Sequence, residues 1–85
     1  MASLQRKIYM AKVKEELTEN GYRPIAADFW MGFMVVSKRL PEAMKLVEER
    51  LKGSGQPMDH FEFKPIGIAA ATAPNGIIME DFVGA

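Results

Sequence analysis

The sequence predicts an α+β fold: one small domain over residues 1–85, in the order helix, strand, helix, strand, strand, with an antiparallel hairpin at its C-terminal end. Three observations carry that expectation. The chain holds 48% hydrophobic and 26% charged residues, the balance of a sequence that folds around a core rather than staying disordered. Residues 40–51 space their apolar side chains as a helix does, and the last third alternates like a sheet around a strong turn signal.

The first element is expected as a helix from Ser3, an acceptable N-cap, to Asn20, where Asn20-Gly21 supplies a left-handed stop. On a helical wheel its apolar residues fall into two groups: Leu4, Ile8 and Ala11 on one side, and Tyr9, Met10, Val13 and Leu17 nearly opposite. Two apolar faces imply a helix that meets its own core on one side and something else on the other, or one wedged into the core.

From Pro24 to Ser37 the run is almost continuously apolar. As a strand it places Ile25, Ala27, Phe29, Met31, Phe33 and Val35 on one face and Ala26, Trp30, Met34 and Val36 on the other. Aromatic and β-branched residues favour the strand, and Gly32 marks a bulge or a close backbone approach. A helix opening at Pro24 fits the same run, since periodicity does not arbitrate a continuous apolar stretch.

The second helix is the clearest element. Pro41 suits the first helical position, Leu40, Ala43, Met44, Val47 and Leu51 share one face, and Lys45/Glu49 and Glu48/Lys52 pair on the other. Gly53 closes it, and residues 53–58 read as a flexible connector. Phe61 and Phe63 then alternate with His60, Glu62 and Lys64, and Ala73-Pro74-Asn75-Gly76 is expected to close a hairpin between residues 66–72 and 77–83.

Composition narrows the function classes. With no cysteine there is neither a disulfide framework nor a Cys-type zinc site, which favours a cytoplasmic setting, or virion or host cytoplasm for a viral protein. The first seven residues lack the order of a signal peptide, and no apolar run approaches the roughly 18 residues that span a bilayer. Net charge is zero, divided as ten Lys/Arg against seven Asp/Glu over residues 1–52 and one against four over residues 53–85. That +3/−3 division favours contact between opposite surfaces of neighbouring copies and gives no strong field for nucleic acid.

Candidate chemistry is sparse. His60 and Glu62 would share a strand face, but two ligands make no metal site without a further carboxylate such as Glu80 or Asp81. The serines and threonines lie in no nucleophile setting, and Gly53-Ser54-Gly55 follows a helix instead of opening one, unlike a phosphate loop. No catalytic residue, metal or cofactor is therefore assigned.

The expectation is a non-enzymatic binding or assembly protein, a homo-oligomer or a subunit of a larger particle, such as a phage-type accessory or inhibitory protein. Its contact surface is expected at Phe29, Trp30, Phe33 and Met34, because large aromatics dominate association when desolvated. Seven methionines, Met10, Met31 and Met34 among them, read as core filler, the commoner use of the residue, or as an adaptable contact surface. The alternative is a module binding a small anionic ligand between protomers through Arg23, Asp28, Trp30, Lys38 and Arg39.

Overall fold

A computed structural model describes residues 5–19, 21–22, 29–70 and 72–83. Its centre is an antiparallel pair: β1 (Arg6–Val13) lies against β2 (Phe29–Ser37), with Tyr9 opposite Val35 and Ala11 opposite Phe33. Side chains alternate across these strands, so Tyr9, Ala11, Val13, Phe33 and Val35 share one face. On that face lies α2 (Leu40–Leu51), which adds Ala43, Val47 and Leu51 to a core completed by Phe61 and Trp30. Full burial of one Val or Leu stabilises by about 1.5–3 kcal/mol, so this stripe accounts for the docking of the helix.

Strands β3 (Phe61–Ala69) and β4 (Gly76–Val83) flank the central pair, and the sheet order is β3-β1-β2-β4. Both are antiparallel to their neighbours. One-turn helix α1 (Glu15–Thr18) follows β1, and a short 3-10 turn at Met58–His60 leads into β3.

The mixed composition of helix and antiparallel sheet agrees with the expected class, and α2 stands where the sequence places it. Two expectations are corrected. The segment read as a helix from Ser3 to Asn20 is strand from Arg6 to Val13, with helix only at Glu15–Thr18; Ser3 and Asn20 lie outside the described residues. Two apolar groups on opposite sides of a helical wheel are what a strand's alternation produces when plotted at 100° per residue. The C-terminal hairpin is also absent, because β3 and β4 occupy opposite edges of the sheet. Ala69 ends beside Arg6 and Gly76 begins beside Val36, so the chain between them crosses the end of β1 and β2. Arg6 Nε donates to the Ala73 carbonyl and Asn75 Nδ2 to Glu42 Oε1 at 3.3 Å, which fastens this crossing to the sheet and to α2.

Residues 53–58 are tied down by local bonds. Gly53 and Gly55 take positive φ (79° and 81°), the Ser54 hydroxyl donates to the Leu51 carbonyl at 2.5 Å, and Gln56 is buried. Gly32 is a close approach, as the sequence suggested: a Cβ there would stand 3.0 Å from the Ala11 carbonyl oxygen. At Gly67 a Cβ would meet only Ile8 Cδ1, at 3.7 Å. Gly32→Ala should therefore cost about 1–3 kcal/mol in denaturant unfolding, and Gly67→Ala less than about 0.5 kcal/mol. Equal costs at the two positions would rule out the close crossing of β1 and β2 at Gly32.

Candidate functional site

The two faces of the sheet are unequal. One carries α2; no helix or strand among the described residues lies over the other, although its end beside the β3–β4 crossing is closed, with Val36 buried and Arg6 half-buried. Its middle row is Met10 on β1, Met34 on β2 and Met79 on β4, in register, with Lys64 of β3 at the end. The next row runs Glu62, Lys12, Gly32, Asp81. Gly32 contributes no side chain, and the hollow it leaves is a groove of about 370 Å³ lined by Met10, Met31, Met34 and Met79, with Lys12 and Asp81 at its rim. A smaller groove of about 200 Å³ adjoins it across Met10 and Lys12, bounded by Glu62, Lys64 and Ile66. Met79 is 60% exposed and Ile66 48%, whereas Met10 and Met34 are half-buried by their neighbours.

Bulges decide which side chains reach this face. Between Trp30 and Gly32, β2 has one residue more than β4, so Met31 is extra and Trp30 pairs with Phe82. Strict alternation would put Trp30 beside Met34; the extra residue turns it to the helix side. There the indole lies 4.8 Å from the Phe82 ring and 5.8 Å from Phe33, and is only 8% exposed. Arg50 of α2 stands over it at 5.1 Å, and Trp30 Nε1–H donates to Glu80 Oε1 at 3.0 Å. Arg50 grips the same carboxylate twice, Nε to Oε2 at 2.8 Å and Nη2 to Oε1 at 3.2 Å.

Beyond the last β1–β2 pair at Lys12 and Gly32, the backbone of Trp30 has no strand beside it on that side. The Gln56 amide takes its place: Oε1 accepts from Trp30 N–H at 2.9 Å and Nε2 donates to the Trp30 carbonyl at 2.6 Å. Nε2 also donates to the Tyr22 hydroxyl at 2.9 Å, and that hydroxyl lies 3.1 Å from His60 Nδ1. Having accepted from Gln56, the Tyr22 hydroxyl still has its own proton to give, and His60 Nδ1 accepts it when the imidazole carries its proton on Nε2. Burial pushes the Tyr22 phenol above its ordinary pKa, partly offset by the Gln56 bond, so it keeps the proton this chain needs.

The chain matches no known protein family, no curated protein and no solved structure. Function therefore rests on the geometry alone.

The expected contact residues are divided by the fold. Trp30 and Phe33 belong to the core, Phe29 is half-buried edge-on to Tyr22, and Met34 alone lies in the uncovered row. Of the alternative ligand set, Arg23 and Asp28 lie outside the described residues, Lys38 and Arg39 are exposed after β2, and Trp30 is inside. His60 faces Tyr22 from the 3-10 turn, while Glu62 sits on β3 in the uncovered face. Among the described residues no three His, Asp or Glu side chains gather as a metal site would need. The row of Met10, Met34 and Met79 was missed as a unit; its signal was the methionine content, and the pairing that aligns it is non-local.

Arg50, and to a lesser extent the Trp30 N–H, hold the Glu80 carboxyl below its ordinary value of 4.5, against a smaller opposing effect of desolvation. A carboxyl with a lowered folded pKa adds stability above its unfolded pKa, and that stability fades as pH falls through the folded value. Denaturant unfolding should therefore show stability declining on acidification from about pH 4.5 downward, and Glu80→Gln should flatten that part of the profile. An unchanged acid limb in Glu80→Gln would refute the assignment.

Proposed function

We propose that this chain is a non-enzymatic binding or assembly protein whose contact surface is the uncovered face of its sheet, centred on Met10, Met34 and Met79. The observation that carries the reading is the asymmetry of the sheet: one face is sealed by α2, and the other offers an apolar row bordered by charges. Contiguous exposed apolar surface of this kind, rimmed by polar groups, is characteristic of association sites. Methionine suits such a surface, since its unbranched, polarisable side chain adapts to a facing shape.

The chemistry of the rest agrees. The polar groups that converge, Gln56, Tyr22 and His60 on one side of Trp30 and Arg50 and Glu80 on the other, satisfy one another and hold the tryptophan in place. Groups so engaged brace a core; they offer no free nucleophile or base. The partner is a second copy or a larger protein assembly. A cytoplasmic, virion or host-cytoplasm setting and a phage-type accessory role belong to the same reading, on sequence grounds alone.

Oxidation footprinting tests this directly. Met79 is more exposed than Met44 on the outside of α2, at 60% against 40%, so in an uncovered chain peroxide oxidises Met79 at least as fast. We expect the reverse, with Met79 oxidised several-fold more slowly than Met44, in the purified protein at micromolar concentration or in an extract of its source. Met79 oxidised at least as fast as Met44 in both settings would overturn the proposed surface.

A further inference from the structure

We infer that the end of the sheet where β1 begins and β2 ends binds the phosphate group of a small molecule, held between Arg6 and Lys38 beside the β3–β4 crossing. The inference rests on the fold alone and is independent of the methionine row. Antiparallel pairing sets Lys7 opposite Ser37, so the cations around that pair collect at one end: Arg6 and Lys7 at the start of β1, Lys38 and Arg39 just past the end of β2. Continuing the register by one residue brings Lys38 level with Arg6. Like charges so placed on neighbouring strands repel, and an anion between them removes the repulsion.

The chain supplies no such anion itself. Residues 1–13, 29–41 and 66–79 contain no Asp or Glu. Glu42 follows in the first turn of α2, and its carboxylate accepts from Asn75 of the crossing. Lys7, Lys38 and Arg39 are exposed and make no ion pair among the described residues. Arg6 carries the decisive feature: Nε donates to the Ala73 carbonyl, whereas Nη1 is shut off from solvent and makes no hydrogen bond. A guanidinium does not escape burial by losing its proton, and a buried charged donor without an acceptor is among the costliest groups a fold can leave unsatisfied.

Phosphate is the anion whose chemistry fits this set. The planar fork of arginine matches two oxygens of one oxyanion, and a lysine ammonium adds a compact second charge. A carboxylate brings a single charge to the cluster, whereas a phosphate monoester brings close to two and keeps further oxygens for Lys38. A nucleic-acid strand needs a basic track several nucleotides long; here the cations stand at one end of the sheet and the chain has no net charge. Because Nη1 is sealed, an incoming oxygen reaches it with the crossing displaced, a segment exposed at Ala70, Thr72, Pro74 and Asn75.

Backbone amide NMR on the purified chain, titrated with inorganic phosphate and, separately, with sodium chloride at matched ionic strength, tests the site. We expect saturable shifts at Lys7, Lys38, Thr72 and Ala73, half-complete at about 1 mM phosphate or below, and no such response to chloride. Lys38→Gln, an exposed change that leaves the core untouched, and Arg6→Lys, which keeps the charge and loses the fork, should each weaken binding about tenfold or more. Lys45→Gln on α2 and Lys64→Gln on β3 should bind as the wild type does. Absent or non-saturating shifts overturn the inference, and so does a loss shared equally by all these variants, which reports only the overall field of the chain. Should Arg6→Lys fail to fold, Lys38→Gln decides alone: phosphate bound as tightly as by the wild type refutes the site.

Discussion

The pairing of β1 with β2 is the constraint on which the rest depends, because both strands are apolar on both faces and become the centre of a four-stranded sheet. Central strands need cover above and below, and a small chain has little to give: folding at this size hides only about 60% of the surface that the unfolded chain exposes. The one long helix, α2, goes to the face holding Tyr9, Phe33 and Val35, where aromatic rings give the larger buried area. The opposite face keeps its shorter, flexible methionines. Unequal side chains on the two faces thus decide which one the helix seals.

Trp30 stands at the corner where this arrangement could come apart. It lies past the end of the β1–β2 ladder, at a bulge, with α2, β2 and β4 converging on it. Gln56 replaces the missing strand neighbour, and burying its amide is tolerable only because both of its ends are bonded. Arg50 and Glu80 close the other side, joining α2 to the edge strand β4 through the indole. Both partners are largely exposed, so the ion pair itself is screened and contributes little; its value is in holding the indole against Phe33 and Phe82. The tight turn at Gly53 to Gly55 exists, in this view, to deliver Gln56.

Legibility in the sequence followed the range of the interactions. Helix α2 was readable because its determinants are local: Pro41 at the start, Gly53 after the end, and one apolar stripe between. Strand character at Phe29–Ser37 was readable from aromatic and β-branched content, although a helix fitted the same pattern. The first segment misled because Tyr9, Ala11 and Val13 against Ile8, Met10 and Lys12 is a strand alternation in which charge enters only at Lys12. Pro74-Asn75-Gly76 marks a reversal correctly, yet a turn does not name the strands it joins; β3 found β1 and β4 found β2. At the site, one extra residue at Met31 moved Trp30 from the expected surface into the core and left Met34 behind. Nothing local announces Gln56, whose partner lies 26 residues away.

If the methionine face is a contact surface, as proposed, folding and association are coupled. A face of methionines leaves the isolated chain without a second packed layer, so on that reading a partner covering the face would add stability that scales with its concentration. Leucine or phenylalanine in the same row would bind more firmly and would also be a greater aggregation hazard while uncovered. Methionine is a compromise: apolar enough to be buried, flexible enough to accept an imperfect fit, and flanked in this sheet by the charges of Lys12, Lys64, Glu62 and Asp81. The core beneath is braced independently through Trp30, which lets the face be exposed or covered without the sheet itself being remade.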